Sequence, residues 1–403
     1  MRLFGKILLI LLAIAVLCAC IPYIITPVYD FPAKKQFSGD KFYNPYENIK
    51  PDKWLKANFH AHSYAWGGFT NGSENIAEEM KERYKSLDYD IFSISDYMKI
   101  NTLFSSEKIF IPAYEHGYGF TKNHQLVIGA KDVKWLDYLF MQTASDKQHT
   151  LKKIKRDDNI IVLNHPHLRN AYSAQDTREL TGFDYIEIVN QNNGTAIDLW
   201  DDALSAGNPV FGMTGEDSHN SKNYVDMGKC YNMINADTAS EHGVLNALKM
   251  GRVIAVDLVS GNGNYNILKE RSSRVVLPYE YKIFGSTVAL KLPSNVKEIR
   301  FIGQNGKRMQ SYKDTDTAFY NFLPQDTYIR TEMTLNNGTK IYFNPVIRYN
   351  GKNLPVYSAV VDSDATFIFR GVLIIVFGAF ILIVYMLKRK NKKAIPDVQT
   401  AGL

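Results

Sequence analysis

The chain has almost no cysteine, three in 403 residues. Cys18 and Cys20 fall in an apolar N-terminal run, which leaves Cys230 alone in the remainder. No internal disulfide can therefore form in the folded part, which must rely on its core and on any metal it holds. A basic stripe interleaved with aromatics is also missing, and the net charge of +6 draws on a basic C-terminal tail. Nucleic acid is not expected as a partner. No internal repeat and no low-complexity segment is present. Charge is absent altogether from residues 7–29, "ILLILLAIAVLCACIPYIITPVY".

That run is long enough to span a bilayer, with Arg2 and Lys6 before it. A second run, "FIFRGVLIIVFGAFILIVYML" (367–387), carries only Arg370 near one end and is followed at once by "KRKNKK". A basic tail of this kind marks the cytoplasmic side. Basic flanks outside both runs place the intervening chain beyond the cell membrane, with the C-terminus cytoplasmic. "LCAC" (17–20) resembles a bacterial lipoprotein box with Cys20 as the lipidated residue. The apolar run continues past Cys20, which favours an uncleaved anchor over a cleaved signal.

Between the ends the texture changes once. Residues 1–29 form the anchor or signal and 30–55 a connector; from 56 to 258, strand-like runs alternate with helical patterns. The runs include "WLKANFHAHS", "YDIFSISD", "KIFIPAYE", "HQLVIGA", "NIIVLNHPH", "YIEIVN" and "PVFGMTGEDSH". "SENIAEEMKERYKSL" (73–87) reads as an amphipathic helix capped by Ser73. Such alternation predicts a parallel α/β architecture. From 259 to 365 short alternating strands separated by Asn-Gly pairs at 305–306, 337–338 and 350–351 predict a small β-sandwich-like domain. Residues 367–387 then form a transmembrane helix and 388–403 a cytoplasmic tail.

The polar residues of the first domain are unevenly placed. His60 and His62 close the first strand, Asp96 the second and Glu115 the third. His165 closes "IVLNH", Asp217 and His219 close "GMTGEDSH", and His124 precedes a strand. Positions i and i+2 of a strand share a face, so His60 and His62 project together. In barrel-like α/β folds the C-terminal strand ends converge on one face, where catalytic groups collect. Imidazole and carboxylate in one place suit zinc, manganese or iron, and the chemistry is metal-assisted hydrolysis.

The order His-x-His, Ser-Asp, strand-ending Glu, lone His, Asn-His-Pro and Asp-Ser-His resembles the PHP (polymerase and histidinol phosphatase) superfamily over about residues 56–258. The resemblance implies a distorted (β/α)7 barrel with divalent ions that hydrolyses phosphate esters. It implies a first ion on His60, His62, Glu115 and Asp217. Glu115 would bridge to a second ion completed by His124 and His165. A third ion would use His219 and a histidine after Asp96, but Tyr97 stands there. "YIRTEM…IYFNPVIRY" is similar to the segment that follows many PHP domains.

The sequence thus predicts a membrane-anchored, extracytoplasmic phosphoesterase. Metal-bridged hydroxide, organised by Glu115 and Asp217, would attack a phosphate mono- or diester near the bilayer. Asp96 serves either a metal or a turn; Tyr97 and Arg169 are candidate contacts to a phosphorylated substrate. His116 and His167 read as solvent or packing residues, Cys230 as a small buried hydrophobe, and Arg308 and Arg330 as a solvated face. Two alternatives remain: a metal-dependent amidohydrolase, and a non-catalytic binding or scaffold protein derived from the same fold.

Overall fold

A computed structural model of the chain describes residues 2–70, 72, 75–222, 226–258 and 264–393. The chain divides into two compact units. One holds the terminal helices Arg2–Ile25 and Ser363–Lys393, with strand Tyr29–Asp30 paired antiparallel to Val360–Val361. Within it, Ser363–Ile383 is long and apolar enough to cross a membrane. In the N-terminal helix the apolar stretch among the described residues is Leu11–Ile25.

The second unit, Phe31–Ser358, carries the strands that bear the polar residues. In chain order these are β1 (Trp54–Asn58), β2 (Ile91–Phe92), β3 (Ala113–His116), β4 (Gln125–Ile128), β5 (Ile160–Leu163), β6 (Tyr185–Asn190), β7 (Phe211–Gly215), β8 (Cys230–Asn235) and β9 (Val253–Asp257). β5, "IIVL", and β6, "YIEIVN", are buried along their whole length. Strands covered on both faces read as continuous apolar runs in this way, and that makes Glu187 within β6 conspicuous. Helices Ala144–Ile154 and Ala174–Glu179 start at capping boxes built by Thr143 with Asp146 and Ser173 with Asp176. The helix expected from residue 73 begins at Ala77 instead, and its cap position, Ile76, has no side-chain cap bond. The predicted cap, Ser73, lies outside the described residues.

The sheets depart from an all-parallel barrel. One runs β7-β6-β5-β4-β3, parallel from β7 to β5 but antiparallel across β5/β4 and β4/β3. The other places β2 parallel to β1, then β8 and β9 antiparallel. Among the described residues no continuous ladder closes the two sheets into the expected barrel. Among the described residues the backbone bridges between them are isolated parallel ones, Ala61 to Ser218 and Tyr97 to Glu115. The ladders fail where the chain turns to present polar side chains: Asp217 has φ 52° and His165 φ 27°.

The β-rich part comprises β10 (Glu280–Phe284), β11 (Thr287–Gly303), β12 (Lys307–Asn321), β13 (Tyr328–Thr334), β14 (Lys340–Phe343) and β15 (Val346–Tyr349). The hairpin β11/β12 turns at Asn305-Gly306, with φ 58° and 67°, the left-handed pair that this dipeptide favours. Rather than standing apart, this part extends the α/β sheet, because β14 pairs antiparallel with β9. Arg330 on β13 is accordingly not on a solvated face; it is 2% exposed. Its guanidinium donates to both oxygens of Asp201, each at 2.7 Å, and to Glu332 at 2.5 Å, and lies 5.1 Å from the Trp200 ring centroid. It thereby ties β13 to helix Ile197–Ser205. Removing one partner strands a buried charge, so Arg330→Ala should cost about 3–5 kcal/mol. Combined replacement of Arg330, Asp201 and Glu332 by apolar residues should recover most of that loss. Unfolding curves of the detergent-solubilised variants check both expectations.

Candidate metal centre

β1 ends at Asn58, and the chain continues extended through His60 and His62 because it pairs with the segment after β7. The Asp217 amide donates to the His60 carbonyl and the His62 amide to the Ser218 carbonyl, both at 2.9 Å. This pairing carries His60, His62 and Asp217 to one place, with the two rings 5.3 Å apart. Glu115 arrives from β3, His124 from just before β4, and Asn164 and His165 from just after β5.

The side chains converge on two carboxylates. Glu115 Oε1 lies 3.2 Å from His60 Nε2, 3.1 Å from His124 Nδ1 and 3.1 Å from His165 Nε2. It also accepts from Asn164 Nδ2 at 2.8 Å. Glu115 Oε2 lies 3.2 Å from His62 Nε2, and Asp217 Oδ1 lies 3.3 Å from Nε2 of both His60 and His62. Two groups result, each with donor atoms within 4.8 Å of one another: His60, His62 and Asp217; and His60, Glu115 and His165. Glu115 turns one oxygen to each side.

These contacts are close, yet most are not hydrogen bonds. Among the described residues, both nitrogens of His62 and of His124, Glu115 Oε2, Asp217 Oδ1 and His219 Nε2 are buried without a hydrogen-bond partner. Orphaned polar atoms are costly in a protein interior. Ligand atoms about 2.0–2.2 Å from a shared ion are themselves about 3.0–3.5 Å apart. The donor set and its spacing therefore fit a divalent metal ion.

Without a cation the charges are balanced by protons. Burial pushes the Glu115 and Asp217 pKa values up, but the surrounding imidazoles outweigh it and hold both well below the usual carboxylate range. Burial would lower the His60 pKa, yet Asp217, Glu187 and Glu115 drive it well above normal. The His165 pKa is raised in the same way, chiefly by Glu115. The His62 pKa is raised to about 9 as Asp217 and Glu115 overcome burial. Burial prevails at His124 and His219, whose pKa values are lowered. His219 Nδ1 donates to the Asp217 carbonyl at 2.6 Å, which leaves Nε2 as the atom available to a ligand.

The other predicted residues are placed differently. Asp96 joins neither group; its carboxylate accepts from the Ser63 amide at 2.8 Å, from Ser63 Oγ at 3.0 Å and from Asn101 Nδ2 at 2.8 Å, and so fixes a turn. Tyr97 stacks on His62 at 4.4 Å and meets the His124 ring edge-on at 5.3 Å, with Lys122 Nζ 5.6 Å from its centroid. Arg169 is exposed and donates to the Phe120 carbonyl at 2.8 Å. His116 is buried between Gln125 and the Leu136 carbonyl, and His167 pairs with Asp198 near the surface. Cys230 is buried. Two functional neighbours escaped the sequence reading. Glu187 accepts from His60 Nδ1 at 2.8 Å. Asn193 donates to Asp217 Oδ2 at 3.1 Å. A lone glutamate inside the apolar run "YIEIVN" is the signal that marks Glu187; Asn193 lies in a loop and offers none.

No protein-family model matches the chain, and no curated protein matches it. Among solved structures it is similar to a two-domain protein containing a predicted PHP-like metal-dependent phosphoesterase from Bacteroides vulgatus ATCC 8482. That likeness has 14% identity and a TM-score of 0.39 over 82% of this chain and 100% of that one. It is also similar to PsfC from Pseudomonas syringae PB-5123, with 12% identity and a TM-score of 0.35 over 55% of this chain and 97% of that one. With TM-scores below 0.5, neither likeness defines the fold or the function of this chain.

A ligating imidazole must be neutral, so a metal ion held by His62 would have to expel its proton. The folded-state pKa of about 9 lies above the ordinary 6.5. Protonation thus stabilises the metal-free fold below pH 6.5, and that contribution fades as pH rises through 9. Apparent metal affinity should therefore climb across this window, by up to about tenfold per pH unit for each proton released. Calorimetric titration with manganese in two buffers of different ionisation enthalpy counts those protons; identical heats would contradict the expectation.

Proposed function

We propose that the chain is a metal-dependent phosphoesterase anchored in the cell membrane, with its hydrolytic site outside the cytoplasm. The observation that carries this reading is the pair of ligand groups sharing His60, packed at 3.1–3.3 Å, in which His62 Nε2, His124 Nδ1, Glu115 Oε2 and Asp217 Oδ1 are buried without hydrogen-bond partners. His60, His62 and Asp217 would hold one ion and Glu115, His124 and His165 another, with Glu115 between them. When bound, divalent ions lower the pKa of a nearby water towards roughly 7 and offset charge on a phosphoryl oxygen.

The protein's own residues supply orientation and selectivity. Asn164 donates to Glu115 Oε1 and Asn193 to Asp217 Oδ2, so that the two carboxylates keep fixed directions. The Tyr97 ring walls one side of His62 and His219 stacks on the same imidazole at 4.5 Å. Lys122 stands over Tyr97. Beside Ser63 opens a cavity of about 630 Å³ lined in part by Asn75, Lys99, Asn101 and Leu103. Lys99 in that lining and Lys122 beside Tyr97 favour an anionic phosphoester over the amide that an amidohydrolase would cleave. The stretch Ser363–Ile383 and the "KRKNKK" after it support anchoring with a cytoplasmic C-terminus and a substrate near the bilayer surface.

Elemental analysis of the purified chain should find about two divalent ions, and Glu115→Ala should lose both them and hydrolysis of phosphoester substrates. Absence of metal after incubation with manganese or zinc would sink the enzyme reading and favour the scaffold. Lys122→Ala should raise KM about tenfold with little change in kcat, the loss of one charge-assisted contact. An unchanged KM would remove Lys122 from substrate binding.

A further inference from the structure

Glu187 lies within β6 and is 2% exposed. Its two oxygens serve two different strand ends. Oε1 accepts from His60 Nδ1 at 2.8 Å, and Oε2 accepts from the His165 amide at 2.7 Å and from Asn190 Nδ2 at 3.0 Å. His60 belongs to both ligand groups and His165 to one of them. A histidine that gives its Nδ1 proton to a carboxylate has its tautomer and ring rotation fixed, with the Nε2 lone pair aimed at the ligand site. At His165 the contact is to the backbone. That residue has φ 27°, sparsely populated for any residue but glycine, and it needs its surroundings to hold it there.

The space for this carboxylate comes from the neighbouring strand. A Cβ at Gly215 would fall 1.5 Å from Glu187 Oε1, 2.7 Å from its carboxyl carbon and 3.0 Å from His60 Nδ1. Gly215 does not have a positive φ, so backbone freedom does not explain the glycine. The missing side chain does.

We propose that Glu187, seated in the gap left by Gly215, is a positioning residue for both ligand groups: it orients His60 and His165 without touching an ion. The inference rests on the metal-site reading above and adds what holds that site in shape. It follows that Glu187→Gln cannot preserve the arrangement. An amide has one acceptor oxygen where the carboxylate uses two, so either His60 or His165 is released. Gly215→Ala displaces the carboxylate while keeping its charge.

The test is manganese binding to the full-length chain in detergent micelles, measured by competition with a chromophoric chelator, with thermal unfolding of the metal-free proteins as the control for folding. Glu187→Gln and Gly215→Ala should each weaken manganese binding 10- to 100-fold. The double variant should be no weaker than the worse single one, since both changes remove the same contact. A merely structural role would lower the unfolding temperature and leave the affinity of the folded fraction alone. Either single variant, folded and binding within twofold of the wild type, overturns the proposal. Should both fail to fold, Glu187→Asp takes their place: it keeps two acceptors on a shorter stem, and an unchanged affinity there overturns the proposal equally. A wild-type chain that binds no manganese overturns the metal-site reading itself. A binding wild type with an indifferent variant overturns only the role of Glu187.

Discussion

The carboxylate of Glu115 is wholly removed from water yet is held ionised, and its surroundings have to make that possible. Transferring a lone carboxylate into the interior is prohibitive, so opposite charge and donors must come to it. They come from three separate chain segments: His60 and His62 after β1, His124 before β4, and Asn164 and His165 after β5. No single element can supply such a set. Strand ends must be drawn together at one rim, and regular ladders stop there to let it happen. The left-handed backbone at His165 and Asp217, and the isolated bridges that replace a continuous barrel seam, are local costs of meeting that demand.

Much of this centre is legible in the sequence because its members interrupt apolar runs at their ends. His60, His62, Glu115, His165 and Asp217 each stand where a buried strand would otherwise turn polar for no reason, and the structure brings all five together. His124 joins them although its loop-like neighbourhood "KNHQ" gives little sign. Asp96 shows the limit of that reasoning. It stands at a strand end too, yet the amide and hydroxyl of Ser63 and the Asn101 side chain occupy its oxygens. A turn and a ligand look alike in sequence, and only the neighbours' geometry separates them. Arg169 illustrates the same point, its guanidinium taken up by a loop carbonyl.

Other features are hidden for a different reason, since they depend on pairing between distant segments. Strand runs reveal burial but not direction, so the antiparallel pairs β3/β4 and β4/β5 pass for members of a parallel set. Arg330 looks exposed because arginine usually is; its partner Asp201 lies 129 residues away on a helix that gives no hint of the contact. Gly215 seems an ordinary strand glycine until the Glu187 carboxylate is seen in the place of its side chain.

The pairing of β14 with β9 has a consequence for the history of this chain. A sheet edge of unpaired amide and carbonyl groups invites association with another chain, and natural proteins cover such edges. Here the cover for β9 arrives from more than eighty residues downstream, across the whole β11/β12 hairpin. The stretch that carries the ligand residues is therefore not an autonomous module with an ornament attached. Recombination that separated the two would leave a sticky border beside the site. The two halves are bound to be inherited together, and a shuffled relative that keeps only the first must find another strand to close that flank.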